Sequence, residues 1–172
     1  MKNQLILIAI CLLAMFPAKS FAQSNFSSPL IGVGVVVSDL QKSLNFYING
    51  IGMVKAGEFS VNSDVAKRTG LTGGIPFDVT VLKLIDWEEA NQWKLMSFGE
   101  KPKRKKQKYI QDDTRMRYIT INVKSLKPAI ERLRIIGVEF LGETPTKLGE
   151  NSYFLLVQDP DGTFVELIGP ME

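Results

Sequence analysis

Glu166 lies inside the closing segment DPDGTFVELIGP, residues 159–170, between Phe164, Val165, Leu167 and Ile168. An ionised carboxylate in an apolar strand is costly unless a metal, a ligand or a basic group pairs with it. The rest of the inventory restricts those choices. The 172-residue chain has no histidine, so the usual general base and the commonest metal ligand are both missing. Its one cysteine, Cys11, falls in an N-terminal segment that reads as an export signal. A mature protein without Cys11 has no thiol nucleophile, no thiolate ligand and no intrachain disulfide.

The export reading rests on Lys2, the apolar run LILIAICLLAMF, Pro17 and the small-residue site SFA before Gln23. That run is too short to span a bilayer comfortably. Cleavage after Ala22 is expected, with residues 1–22 as the signal peptide and a periplasmic or secreted product. It removes Lys2 and Lys19 from 21 basic residues, leaving 19 against 18 acidic. No lipoprotein cysteine site flanks Cys11, so no stable membrane anchor is expected after cleavage. The apolar fraction of 45% and charged fraction of 23% are ordinary for a globular protein and argue against disorder. A formal charge of +3 does not imply a polyanion partner.

Along the mature chain, IGVGVVV (31–37) reads as a strand. SDLQ then supplies a capping box, Ser38 as N-cap with Gln41 three residues on, and Leu40, Leu44, Tyr47 and Ile48 follow at helical spacing. Gly50 is the expected stop. MVKAGEFS, FDVTVLKLI and WKLMSF read as three strands, with residues 61–75 a glycine-rich loop. The second half repeats the order. RYITINV is a strand, Ser125 caps a helix carrying Leu126, Ile130, Leu133 and Ile136, and Gly137 ends it. VEFLG, SYFLLV and TFVELIG supply three more strands. Val37–Leu40 overlays Val123–Leu126, which marks a duplicated βαβββ unit. The run KPKRKKQK between the halves carries six basic residues in eight. No aromatics interleave those charges, so a solvated linker is the better reading and no nucleic-acid partner is expected.

VGVVVSDLQKSLNFYINGIGM together with DPDGTFVELIG resembles the opening and closing signatures of the glyoxalase/bleomycin-resistance/extradiol-dioxygenase group, the vicinal oxygen chelate superfamily. The resemblance implies an α+β fold of two βαβββ modules, which form an incurved eight-stranded mixed sheet with helices outside. Module one would span about 30–99, a basic linker about 100–114, and module two about 115–170. Members of that group form domain-swapped dimers, so the resemblance admits a homodimer. Its metal-using members place four ligands on the cavity floor. Carried onto this sequence, those positions are Gly32, Lys94, Tyr118 and Glu166, although Lys83 competes with Lys94 for its position. Only Glu166 is a good ligand, so no metal and no other cofactor is expected.

Strand alternation then gives the lining of the expected cavity. Gly32 and Gly34 share a face with Val36, and Tyr118 shares one with Thr120 and Asn122. Lys94 lies with Met96 and Phe98, and Glu166 with Phe164 and Ile168. The two glycines suggest room for a ligand, and the loop from Val61 to Pro76 is a candidate lid. Three functions fit: a metal-free binding module for a small organic ligand, a lyase, isomerase or epimerase, or a structural subunit with a filled core. An enzyme would use Glu166 as general base, with Tyr118 or Lys94 as acid or electrophile. If Lys94 and Glu166 hold equivalent fourth-strand positions, Lys94 is expected to neutralise Glu166 where the family would put a metal, with the Tyr118 hydroxyl as an additional hydrogen-bond partner.

Overall fold

The computed structural model describes residues 26–99 and 107–172. The export segment, Cys11 and most of the basic run lie outside them. The first half contains β1 (Gly32–Val36), α1 (Leu40–Leu44, continued by a π-helical turn over Asn45–Ile51), β2 (Val54–Val61), α2 (Ser63–Arg68), β3 (Phe77–Lys83) and β4 (Gln92–Ser97). The second contains β5 (Tyr118–Asn122), α3 (Lys127–Ile135), β6 (Thr146–Gly149), β7 (Ser152–Gln158) and β8 (Phe164–Gly169). The eight strands form two four-stranded mixed sheets with the same order, β1-β4-β3-β2 and β5-β8-β7-β6. In each, the last strand returns parallel to the first after a helical crossover, as parallel neighbours require.

One apolar core joins the halves. Val33, Val35, Trp93 and Leu95 from the first sheet meet Ile121, Leu155, Val165 and Leu167 from the second, with Phe46, Tyr47, Leu126 and Leu133 from the helices between. Among the described residues no helix is long and apolar enough to cross a membrane.

The helix boundaries differ from the sequence reading for identifiable reasons. Asp39, not Ser38, caps α1, its carboxylate accepting from the Lys42 N–H at 3.1 Å. The Ser38 N–H instead donates to the Asp161 carboxylate, across 123 positions of sequence. The helix also runs through Gly50 and ends at Gly52, whose φ of +97° suits glycine. Gly50 serves close approach instead: a Cβ there would stand 2.7 Å from Ile136 Cδ1 and 3.0 Å from Leu133 Cδ2. Arg132 fastens this crossing by donating to the carbonyls of Gly50 and Ile51. In α3 the cap position is Leu126 rather than Ser125, and Pro128 sits in the first turn.

Two further expectations need correction. Residues 61–75 are not wholly loop, because α2 forms there, capped by Asn62 through the Val65 N–H at 2.9 Å. VEFLG does not form a strand: Phe140 makes one isolated bridge to Val157, and the paired segment is β6, farther on. Gly142, with φ of +62°, turns the chain between them, and Pro145 has no N–H for a ladder.

Candidate functional site

Ladder register fixes which side chains share a face. In the first sheet Gly34 is aligned with Lys94, and Lys94 with Val81; Val36 is aligned with Met96, and Met96 with Val79. In the second, Thr120 is aligned with Glu166, and Glu166 with Leu156; Asn122 is aligned with Ile168. Alternation turns these residues away from the common core. Lys94 and Glu166 therefore hold equivalent places on the fourth strands of the two halves. Lys83 does not compete for that place. It closes the β3–β4 turn by donating to the carbonyls of Trp87 and Glu88.

The outward faces of the two sheets differ. On the first sheet, Phe77, Val79 and Val81 form a second apolar cluster with Ala66 of α2, against which Val61, Met96 and Phe98 pack. The Phe77 and Phe98 rings lie 5.0 Å apart. The expected lid is thus in part a cover that fills this half, and Phe98 belongs to the filling. On the second sheet Tyr118, Thr120 and Asn122 are exposed, and Glu166 and Ile168 are half-buried beside them. Phe164 is buried beneath, with the Arg117 guanidinium 5.8 Å from its ring centre.

Glu166 has a partner, and it is Thr120. The threonine hydroxyl donates to Glu166 Oε2 at 2.5 Å, across the parallel β5–β8 pair. No ion pair joins Lys94 to Glu166 among the described residues, and the Tyr118 hydroxyl makes no hydrogen bond to that carboxylate. Elsewhere among the described residues, ion pairs join Lys42 to Asp39, Lys55 to Glu58 and Arg68 to Asp64. Lys94 lies instead across β1, its Nζ 3.1 Å from where a Gly32 Cβ would stand. Met96 covers Gly34 in the same way, with Cε at 3.1 Å. The space left by the two glycines is taken by the flexible ends of these side chains. No three His, Cys, Asp or Glu side chains gather into a group that could hold a metal ion among the described residues.

Sequence reasoning missed a second polar site, at the joint of the halves. The buried Tyr47 hydroxyl donates to Asp159 Oδ2 at 2.7 Å, and Asp159 Oδ1 accepts from the N–H groups of Asp161 and Thr163. Burial raises the Asp159 carboxyl above its usual range, against the opposing hydrogen bonds from Tyr47 and Thr163. Burial, then the neighbouring Asp159 charge, holds the Tyr47 phenol well above its ordinary value. The only sequence signal was an aspartate opening a Pro-Asp-Gly turn, where such a side chain commonly accepts from the backbone two residues on. A cavity of about 370 Å³ opens beside it, lined by Lys42, Phe46, Ile136, Glu139 and Asp159 among others.

Comparison with known proteins gives a consistent family. Residues 30–167 match the model of the Glyoxalase/Bleomycin resistance protein/Dioxygenase superfamily. A glyoxalase family protein from Bacillus cereus superposes with a TM-score of 0.69 at 17% identity, covering 89% of this chain and 100% of that one. Glyoxalase I of Leishmania major gives 0.59 at 20% identity, with coverage of 83% and 87%. Glyoxalase I of Zea mays gives 0.58 at 20%, covering 83% of this chain but 45% of the maize chain. These identities speak for the fold alone. No curated protein sequence matches the chain significantly.

Proposed function

Because the chain belongs to the glyoxalase/bleomycin resistance protein/dioxygenase superfamily, we propose that it is an exported, metal-free protein that binds a small organic molecule on the outward faces of its sheets. The observation that carries this reading is the contrast between those faces: an apolar cluster lies under α2, and an open polar strip runs along Thr120 and Glu166. Small-molecule sites combine apolar surface with a few fixed polar groups.

The donors at the superfamily's metal positions do not fit a metal. Gly32 offers no side chain, Tyr118 offers a phenol, Lys94 offers a cation, and the Glu166 carboxylate already accepts from Thr120. Zinc, nickel and iron sites need imidazole, thiolate or several carboxylates. The ligand is the proposed partner, met in the periplasm or outside the cell once the leader is removed.

Mature protein incubated with zinc, nickel, manganese or iron and then desalted should retain well under one equivalent by elemental analysis. Its thermal midpoint should still rise with members of a small-metabolite panel after chelator treatment. Stoichiometric metal, or stabilisation seen only with metal present, would replace this reading with a metalloenzyme.

A further inference from the structure

Lys94 is the one basic side chain whose register places it on the outward face at the superfamily's metal position. Its ladder partners are Gly34 on β1 and Val81 on β3, Met96 is the next residue on the same face of β4, and its end lies over Gly32. Its ammonium lies across the strand above Gly32, and no ion pair or hydrogen bond engages it among the described residues. The ion pairs named above among the described residues involve other, exposed bases. The stem of Lys94 is half-buried while its ammonium has no protein acceptor among the described residues, so an incoming anion can take it as a charge-assisted donor. Glu166, on the other sheet, already takes one hydrogen bond, from the Thr120 hydroxyl. Lys94 is thus left to receive the ligand.

We infer that the ligand is a small organic anion, an apolar body with a carboxylate or sulfonate head that pairs with Lys94. This inference rests on the binding reading above. Gly32 and Gly34 give it a physical basis. Both lack a Cβ that would push the ends of Lys94 and Met96 upward, so the two side chains lie flat and form the floor.

A matched pair of fluorescent probes separates the head group from the body. 8-Anilinonaphthalene-1-sulfonate and N-phenyl-1-naphthylamine share the apolar body and its N–H, and only the first carries an anion. The chelator-treated mature protein should bind the sulfonate about tenfold more tightly, the scale of one charge-assisted contact. Lys94→Met, close in shape and apolar, should abolish that preference while keeping affinity for the neutral probe. Lys94→Arg should keep the preference. So should Lys124→Met, which removes an exposed charge elsewhere, with circular dichroism and melting verifying that each variant folds. Equal binding of both probes, a preference that survives Lys94→Met, or one lost equally in Lys124→Met would overturn the inference and leave the binding reading standing. Failure of both probes to bind the wild-type protein would overturn both.

Discussion

Asp159→Ala should destabilise the protein by about 3 kcal/mol, because the buried Tyr47 hydroxyl would be left without an acceptor and the closing turn would lose its internal bonds. Tyr47→Phe should cost somewhat less, about 2 kcal/mol, since Asp159 keeps its two backbone donors. The penalty should depend on pH. The Asp159 carboxyl is raised in the folded state, so the native chain holds a proton that the unfolded chain has already lost. This group's contribution therefore falls as pH rises from the ordinary carboxylate range through its elevated folded value. The Tyr47 phenol is raised too, so a second fall should begin near the ordinary tyrosine value, where only the unfolded chain ionises. Urea midpoints across that range should show the alkaline fall reduced in Tyr47→Phe and the acid-range fall reduced in Asp159→Asn. Identical profiles for wild type and both variants would contradict this account of the joint.

Gly169→Ala should be comparably damaging. A Cβ at Gly169 would stand 2.3 Å from the backbone oxygen of Val123 and 2.9 Å from its Cγ2. The backbone cannot simply withdraw. Val123 N–H donates to the Ile168 carbonyl, and Leu126 N–H to that of Pro170, each at 2.8 Å. These two bonds clamp the end of β8 against the exit of β5. Overpacking of this kind costs about 3 kcal/mol when backbone must shift. Gly57, also a strand glycine, has nothing within 4 Å of an added Cβ, so Gly57→Ala should change stability by less than about 0.5 kcal/mol. Chemical denaturation of the pair gives the comparison directly, and equal effects would remove the close-approach explanation.

The duplicated order of elements was readable because strand periodicity and the turn chemistry of Asp159–Gly162 are local signals. The equivalence of Lys94 and Glu166 followed from the same alternation. What those residues touch was not readable. Glu166 accepts from Thr120, a choice set by the register of β5 on β8 and not by any spacing along the chain. Lys94 lies over Gly32, where the missing side chain leaves space, and makes no ion pair with Glu166. Gly50 looked like a helix stop, yet its missing side chain serves the packing of α1 on α3. Tyr47 read as a core residue at helical spacing, while its hydroxyl finds Asp159 112 positions away. The six-residue α2 carries too few turns for a periodic signal, and its Ala66 matters only once β3 lies beneath it.

The central claim, metal-free binding of a small molecule on the outward sheet faces, is tested most directly by amide chemical shifts. Nitrogen-15-labelled mature protein, treated with chelator, would be titrated with a library of small organic acids and their neutral amides. Shifts should cluster at Gly32, Gly34, Lys94, Thr120, Asn122 and Glu166, saturate with the acids, and be unaffected by added zinc. Shifts confined to the joint cavity around Phe46, Ile136 and Asp159, or shifts that appear only once a metal is supplied, would contradict it.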